Sequence, residues 1–134
     1  MKILITGSRS IEESEENLQV LFELIEQVGT PSLLLHGGAR GVDRLAAILA
    51  AQNNWKEEVI LPDYTRYHVK EAPLKRNTLL VEKAEAIIAF YAKERFRKGG
   101  TWDTVQKATK ANKLVLEYKA DGMLYWTRPA LTLF

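Results

Sequence analysis

"SLLLHGGARGVDRLAAILA" occupies residues 32–50. Its first part, 32–36, is an almost unbroken apolar run. Such a run fits a strand buried on both faces, as in a parallel sheet. Its last part repeats apolar residues at three- and four-residue spacing, through Leu45, Ala46, Leu49 and Ala50. That spacing predicts a helix over 42–52 with one face against a core. Between the two lie Gly37, Gly38 and Gly41. The stretch therefore reads as strand, glycine turn, helix: one βα unit.

The same alternation extends in both directions. Further apolar runs fall at 2–6, 58–62, 86–91 and 113–118. Helical patterns fall at 11–28 (Leu18, Leu21, Phe22, Ile25, Val28), 73–84 (Leu74, Leu79, Leu80, Ala84) and 102–111 (Trp102, Val105, Ala108). Ser10 with Glu13 matches a capping box before the first helix, and Gly29 and Pro31 stop it. Thr101 is the expected N-cap of the last helix. Strand alternating with helix implies right-handed crossovers and helices on both faces of the sheet. The expected fold is α/β, a Rossmann-like three-layer sandwich with a mostly parallel five-stranded sheet in the order 3-2-1-4-5. Residues 119–134 form a short C-terminal extension. Its "ADG" is a turn signal and its "MLYWT" a strand, placed at the sheet edge or against a partner subunit. Without repeats or a linker, 1–134 reads as one domain.

Composition narrows the function classes. The 134 residues contain no cysteine, which excludes a disulfide framework and a thiolate site. With histidine only at His36 and His68, no metal-ligand spacing exists, and neither metal nor cofactor is expected. No apolar stretch approaches the roughly 20 residues that span a bilayer. The N-terminal run is too brief for a signal peptide, so a soluble, cytoplasmic protein is expected. Net charge is only +2, but it is unevenly spread. Residues 12–26 hold six acids and no base, whereas 63–119 hold thirteen Lys and Arg against seven Asp and Glu. These are either solvated helix faces or a basic rim around an anionic ligand.

In an open α/β sheet, ligands bind beyond the carboxyl ends of the strands. After the first run come Gly7, Ser8 and Arg9, a tight turn with a hydroxyl and a guanidinium fork. After the second come Gly37, Gly38 and Gly41, which free backbone N–H groups to face an anion at a helix start. Asp43, in the first helical turn, either accepts from ribose hydroxyls or serves the helix terminus. Arg44 reads as a surface ion-pair residue, and His36 as a structural histidine. After the third run comes a long loop with Tyr64, Tyr67 and His68, of the length of a functional lid. Arg76 and Asn77 follow it. After the fourth run, four bases precede Gly99, Gly100 and Thr101, a second glycine-led helix start, with Asp103 beside it. No nucleophile has a base near it.

Taken together, "ITGSR", "HGGARGVDRLA", "APLKRN" and "GGT", in that order, resemble the YspA or cpYpsA-related branch of the SLOG superfamily. That superfamily includes the LOG phosphoribohydrolases and the Smf/DprA DNA-processing proteins. The resemblance runs from about Lys2 to Tyr118. It implies a Rossmann-like fold and a site for a nucleotide or nucleotide-derived ligand. Its phosphate-binding glycines map to Gly37, Gly38, Gly41, Gly99 and Gly100, its first-loop residues to Gly7, Ser8 and Arg9, and its "RN" to Arg76 and Asn77. The LOG pattern PGGxGTxxE is changed: Thr104 stands where the glutamate would be, and threonine cannot serve as a general base.

Three functions follow from these readings. The first is binding of a nucleotide-derived ligand, as a sensor or processing module. The second is N-glycosidic hydrolysis of nucleoside monophosphates, with Asp43, Arg76 and Asp103 as candidate catalytic residues. The third is single-stranded nucleic-acid binding through the bases of 93–98 and the aromatics Tyr64, Tyr67, Phe96 and Trp102. A homo-oligomer, most simply a dimer, is expected from the resemblance, with the apolar tail 123–134 as its contact.

Overall fold

The computed structural model describes residues 1–130. Its strands are β1 (Lys2–Gly7), β2 (Leu33–His36), β3 (Glu57–Val59), β4 (Ala86–Tyr91), β5 (Leu114–Lys119) and β6 (Met123–Thr127). Its α-helices are α1 (Glu15–Val28), α2 (Val42–Asn53), α3 (Ala72–Lys83) and α4 (Gly99–Lys110). The strands form one sheet in the order β3-β2-β1-β4-β5-β6. The first five are parallel, and β6 returns antiparallel to β5. The fold is Rossmann-like α/β, with six strands rather than five. The added strand is "MLYWT", which follows a tight turn at Asp121–Gly122 and completes the edge of the sheet. The part of the expected apolar tail at 131–134 lies outside the described residues.

Two cores lie on the two faces of the sheet. On one, Leu21, Leu24 and Ile25 of α1 and Leu45, Ala46 and Leu49 of α2 pack on Ile3, Ile5 and Ile88. On the other, Leu80 and Val81 of α3 and Val105 and Ala108 of α4 pack on Leu4, Ile87 and Val115. The central β4 is buried along its whole length, which is why AIIAFY is continuously apolar.

Several local expectations are corrected. The first helix begins at Glu15, capped by Ser14, whose hydroxyl accepts from the Asn17 amide. Ser10 and Glu13 form no capping box, because Glu13 is drawn into a contact far along the chain. Leu74 and Leu79 are exposed, and α3 turns Leu80 and Val81 inward instead. Helix α4 starts at Gly99 with Lys98 at its N-cap, so Thr101 lies inside the first turn. Strand β3 has only three residues, because it is an edge strand with Glu57 and Val59 exposed.

Candidate functional site

The order of the sheet reverses between β1 and β4, with α1 and α2 on one face and α3 and α4 on the other. Beyond the carboxyl ends of these strands lies a cleft of about 490 Å³. This is the position where doubly wound sheets hold ligands, and the volume is in the range of small-molecule sites. The cleft gathers Gly7, Ser8 and Arg9 from the β1 turn, Asp43 from α2, Arg76 and Asn77 from α3, and Gly99, Gly100 and Thr101 from α4. Arg40, Arg95 and Lys98 join them, having carried no specific signal beyond general basicity. Gly37, Gly38 and Gly41 lie outside its wall.

The glycine turn before α2 is not an open anion cradle. The Gly37 and Ala39 amides both donate to Asp43 Oδ2, each at 3.1 Å. The Gly38 amide donates to His36 Nδ1 at 3.0 Å, and the Gly41 amide to Glu13 Oε2 at 3.2 Å. Each of these four N–H groups is already bonded inside the protein. The expectation that this turn aims its amides at a ligand is therefore corrected. The glycines serve geometry instead. Gly41 has φ +77, and a Cβ there would stand 2.6 Å from the Ser8 carbonyl oxygen. Only glycine lets the α2 turn lie against the β1 turn. Glu13, whose carboxylate also approaches Arg44 Nη1 at 3.5 Å, is the residue that sequence reasoning missed as a strut. Its partner lies 28 residues away and leaves no local signature.

His36 is a structural histidine. Nδ1 accepts from Gly38, so Nε2 carries the proton and donates to Glu57 at 2.6 Å. Ser8 ties the β1 turn to β4: its amide donates to the Phe90 carbonyl and its Oγ accepts from the Ala92 amide at 3.0 Å. Asn77 is buried and links α3 to α4. Its Nδ2 donates to the Gly100 carbonyl and to Asp103 Oδ2, while its Oδ1 accepts from Arg76 Nε at 3.0 Å. Arg76 Nη1 donates to the carbonyls of Gly37 and Ile60, which fixes the guanidinium against the ends of β2 and β3.

The charges in the cleft are lopsided. Arg9, Arg40, Arg76, Arg95 and Lys98 line it, and none forms an ion pair with a carboxylate among the described residues. Asp43 is the one carboxylate in the wall. Burial pushes its carboxyl above the ordinary aspartate range, against the opposing pull of the Ala39 amide, His36, Arg76 and the Gly37 amide. Burial also lowers the Arg76 guanidinium, with Asp43 opposing and Arg9 adding to the effect. Beneath the cleft, Thr6, Asp43, Asn77 and Thr104 border a space of about 20 Å³, enough for one water.

Other expected participants are engaged elsewhere. Asp103 accepts from Asn77 and, at 2.8 Å, from Lys107. Thr104 Oγ1 donates to the Gly100 carbonyl within α4. Arg97 turns away from the cleft and grips the buried Glu117 through Nε and Nη2, at 3.2 and 3.0 Å. Its guanidinium lies among the rings of Phe96, Trp102 and Tyr125. Two of the four aromatics expected to meet nucleic acid, Phe96 and Trp102, are thus packed against Arg97. Tyr64 is exposed, and Tyr67 lies under Arg66 and Lys75; neither lines the cleft. No group of three or more metal-ligating side chains occurs among the described residues, and no helix there is long and apolar enough to cross a membrane.

A parallel sheet with its cleft at the switch point, walled by unpaired cations, defines a Rossmann-like protein with a candidate anion site. The chain belongs to the YspA, cpYpsA-related SLOG family, whose sequence model matches residues 1–67. That match holds β1, α1, β2, the glycine turn, α2 and β3, while α3 and α4 lie beyond it. No curated protein gives a match to the chain. Among solved structures, the fold is similar to that of DNA processing protein A (DprA) from Streptococcus pneumoniae, with a TM-score of 0.67 at 17% identity. The similarity covers 87% of this chain and 49% of that one, so the chain spans about half the length of that protein.

Proposed function

We propose that the protein binds a nucleotide or nucleotide-derived ligand in the cleft at the carboxyl end of the sheet. One observation carries the reading: five cations without carboxylate partners converge on one cleft, beside the first turn of α4. Unpaired cations gathered in a concave site favour an anion held by several donors. The α4 start has no side-chain cap, so its first amides and its dipole add to the attraction. With the α2 turn and Ser8 already bonded internally, this reading gives the phosphate to Arg9 and the α4 start. Family membership supports this reading.

The test is thermal denaturation with AMP, ADP and ADP-ribose. A ligand at about a hundredfold excess over its dissociation constant stabilises by about 2.7 kcal/mol. Gly100→Leu provides the control. A Cβ at Gly100 meets nothing closer than Asn77 Nδ2 at 3.9 Å, so the larger side chain fills cleft space rather than core. Stabilisation in the wild type and its loss in a folded Gly100→Leu protein are expected. No stabilisation by any of the three, or equal stabilisation of both proteins, overturns the proposal.

N-glycosidic hydrolysis is a second reading, favoured by one observation: a buried carboxylate with a raised pKa faces a ligand-sized cleft. Asp103 and Thr104 are bonded elsewhere, which leaves Asp43 to act. Release of free base from nucleoside monophosphates, absent in Asp43→Asn, would establish it; no release by the wild type excludes it.

A further inference from the structure

Asp43 raises a question that anion binding does not answer. A carboxylate in a cleft built for phosphate repels the phosphate. Yet Asp43 is held firmly at the wall, 7% exposed, by two backbone amides on one oxygen. Its other oxygen, Oδ1, has no hydrogen-bond partner in the described structure. No fully buried side-chain oxygen among the described residues lacks a partner, so Oδ1 keeps accessible surface, and Asp43 borders both the cleft and the small space beneath it. A fixed carboxylate oxygen next to a cleft accepts hydrogen bonds and does nothing for an anion. Its complement is a donor on the same ligand that brings the phosphate.

We infer that Asp43 Oδ1 accepts from the ribose hydroxyls of the bound ligand, so that the cleft takes ribonucleotides in preference to nucleotides whose sugar lacks both hydroxyls. This rests on the nucleotide reading of the cleft. On this inference Lys98 and the α4 start take the phosphate, and Asp43 in the first turn of α2 takes the sugar. A vicinal diol offers two donors to one acceptor, and neither carries charge. Arg76 stands near the carboxylate without forming an ion pair with it, so Oδ1 is not consumed by an internal cation. A site that holds a buried charged acceptor for a hydroxyl disfavours the analogue that lacks it, because the acceptor is then dehydrated and unpaired. A hydrogen bond to a charged group corresponds to a preference of about 10- to 100-fold.

The experiment is calorimetric titration of the wild type with the four ribonucleoside 5′-monophosphates and their 2′,3′-dideoxy counterparts. At least one ribonucleotide should bind about 10- to 100-fold more tightly than its dideoxy form. Asp43→Asn then separates the sugar from the phosphate. The amide oxygen takes over the bonds from Gly37 and Ala39, and an NH2 faces the cleft in place of an acceptor. Circular dichroism confirms its fold. The variant should bind both forms with similar affinity. Equal binding of the pair by the wild type overturns this inference while leaving the nucleotide reading standing. A preference that survives in Asp43→Asn also overturns it. Failure of the wild type to bind any of the eight compounds removes this inference; unless ADP or ADP-ribose stabilises the protein, it removes the nucleotide reading as well.

Discussion

Two glycines in the wall of the cleft should respond to the same methyl group with opposite signs. Gly7 ends β1, where the Phe90 carbonyl of β4 and the Val42 side chain of α2 close on it from two sides. A Cβ there falls well inside contact distance of both, and one of the two is backbone that cannot swing aside. Forcing a carbon into packed surroundings costs about 1–3 kcal/mol. For a domain of this size, between the ranges tabulated for smaller and larger ones, that is a melting point lower by ~4–12 °C. Gly100 differs in each respect. It lies in the first turn of α4, outside the positive-φ set, and a Cβ there reaches no atom nearer than 3.9 Å. Alanine removes backbone freedom from the unfolded chain without strain, which stabilises by about 0.4–1 kcal/mol. Gly100→Ala should therefore melt ~2–4 °C higher. Urea denaturation followed by circular dichroism, with melting curves of both variants, measures the two changes directly. If Gly7→Ala is as stable as the wild type, or if both variants shift in the same direction, the packing argument at the switch point is wrong.

Two further expectations concern buried ionisable groups. Burial raises the Asp43 pKa in the fold, so the ionised form is disfavoured there relative to the unfolded chain. Its favourable contribution exists below the unfolded value of 3.8 and is lost as pH rises through the raised folded value. Asp43→Asn should consequently melt higher than the wild type at pH 7, and the gap should close as pH falls toward 4; a wild type more stable than the variant at pH 7 contradicts this. Tyr91 donates to the buried Glu117 at 2.9 Å, and burial together with that carboxylate raises its pKa far above the ordinary tyrosine value. In an ultraviolet titration of the folded protein, Tyr91 should remain protonated well above the ordinary tyrosine value of about 10. Its contribution to stability is whole below that pH and lost above it. Tyr91→Phe should cost about 1–2 kcal/mol at neutral pH and flatten the alkaline loss; an unchanged alkaline profile refutes the assignment.

Strands β1, β2, β4 and β5 are legible in the sequence because their central residues are buried on both faces and almost all apolar; Glu117 in β5 is the charged exception, met by Tyr91 and Arg97. The apolar run 58–62 predicts a longer third strand than the sheet holds: β3 is Glu57–Val59, and beyond it the Ile60 amide still donates to the His36 carbonyl while Leu61 is exposed. Leu74 and Leu79 misled for a similar reason: hydrophobic character marks a helix face only when most such residues are buried. The cleft was legible as a set of loops following strands, and Gly7, Arg9, Arg76 and Gly100 all reached it. What the sequence could not convey was the destination of each hydrogen bond. Asp43 and Glu13 occupy amides that looked free, and Arg97 leaves a basic run to meet Glu117. Glu13 and Arg97 reach partners 28 and 20 residues away, which local patterns do not encode, whereas Asp43 bonds within its own turn.

The bonded turn before α2 has a consequence for the cost of recognition. A glycine-rich loop is commonly imagined as slack that tightens around its ligand. Here the loop is already set, cross-tied by two acidic side chains and a histidine before anything arrives. A ligand bound as proposed meets this turn already formed, so ordering it adds nothing to the cost of capture, and the cations around the cleft supply the pull.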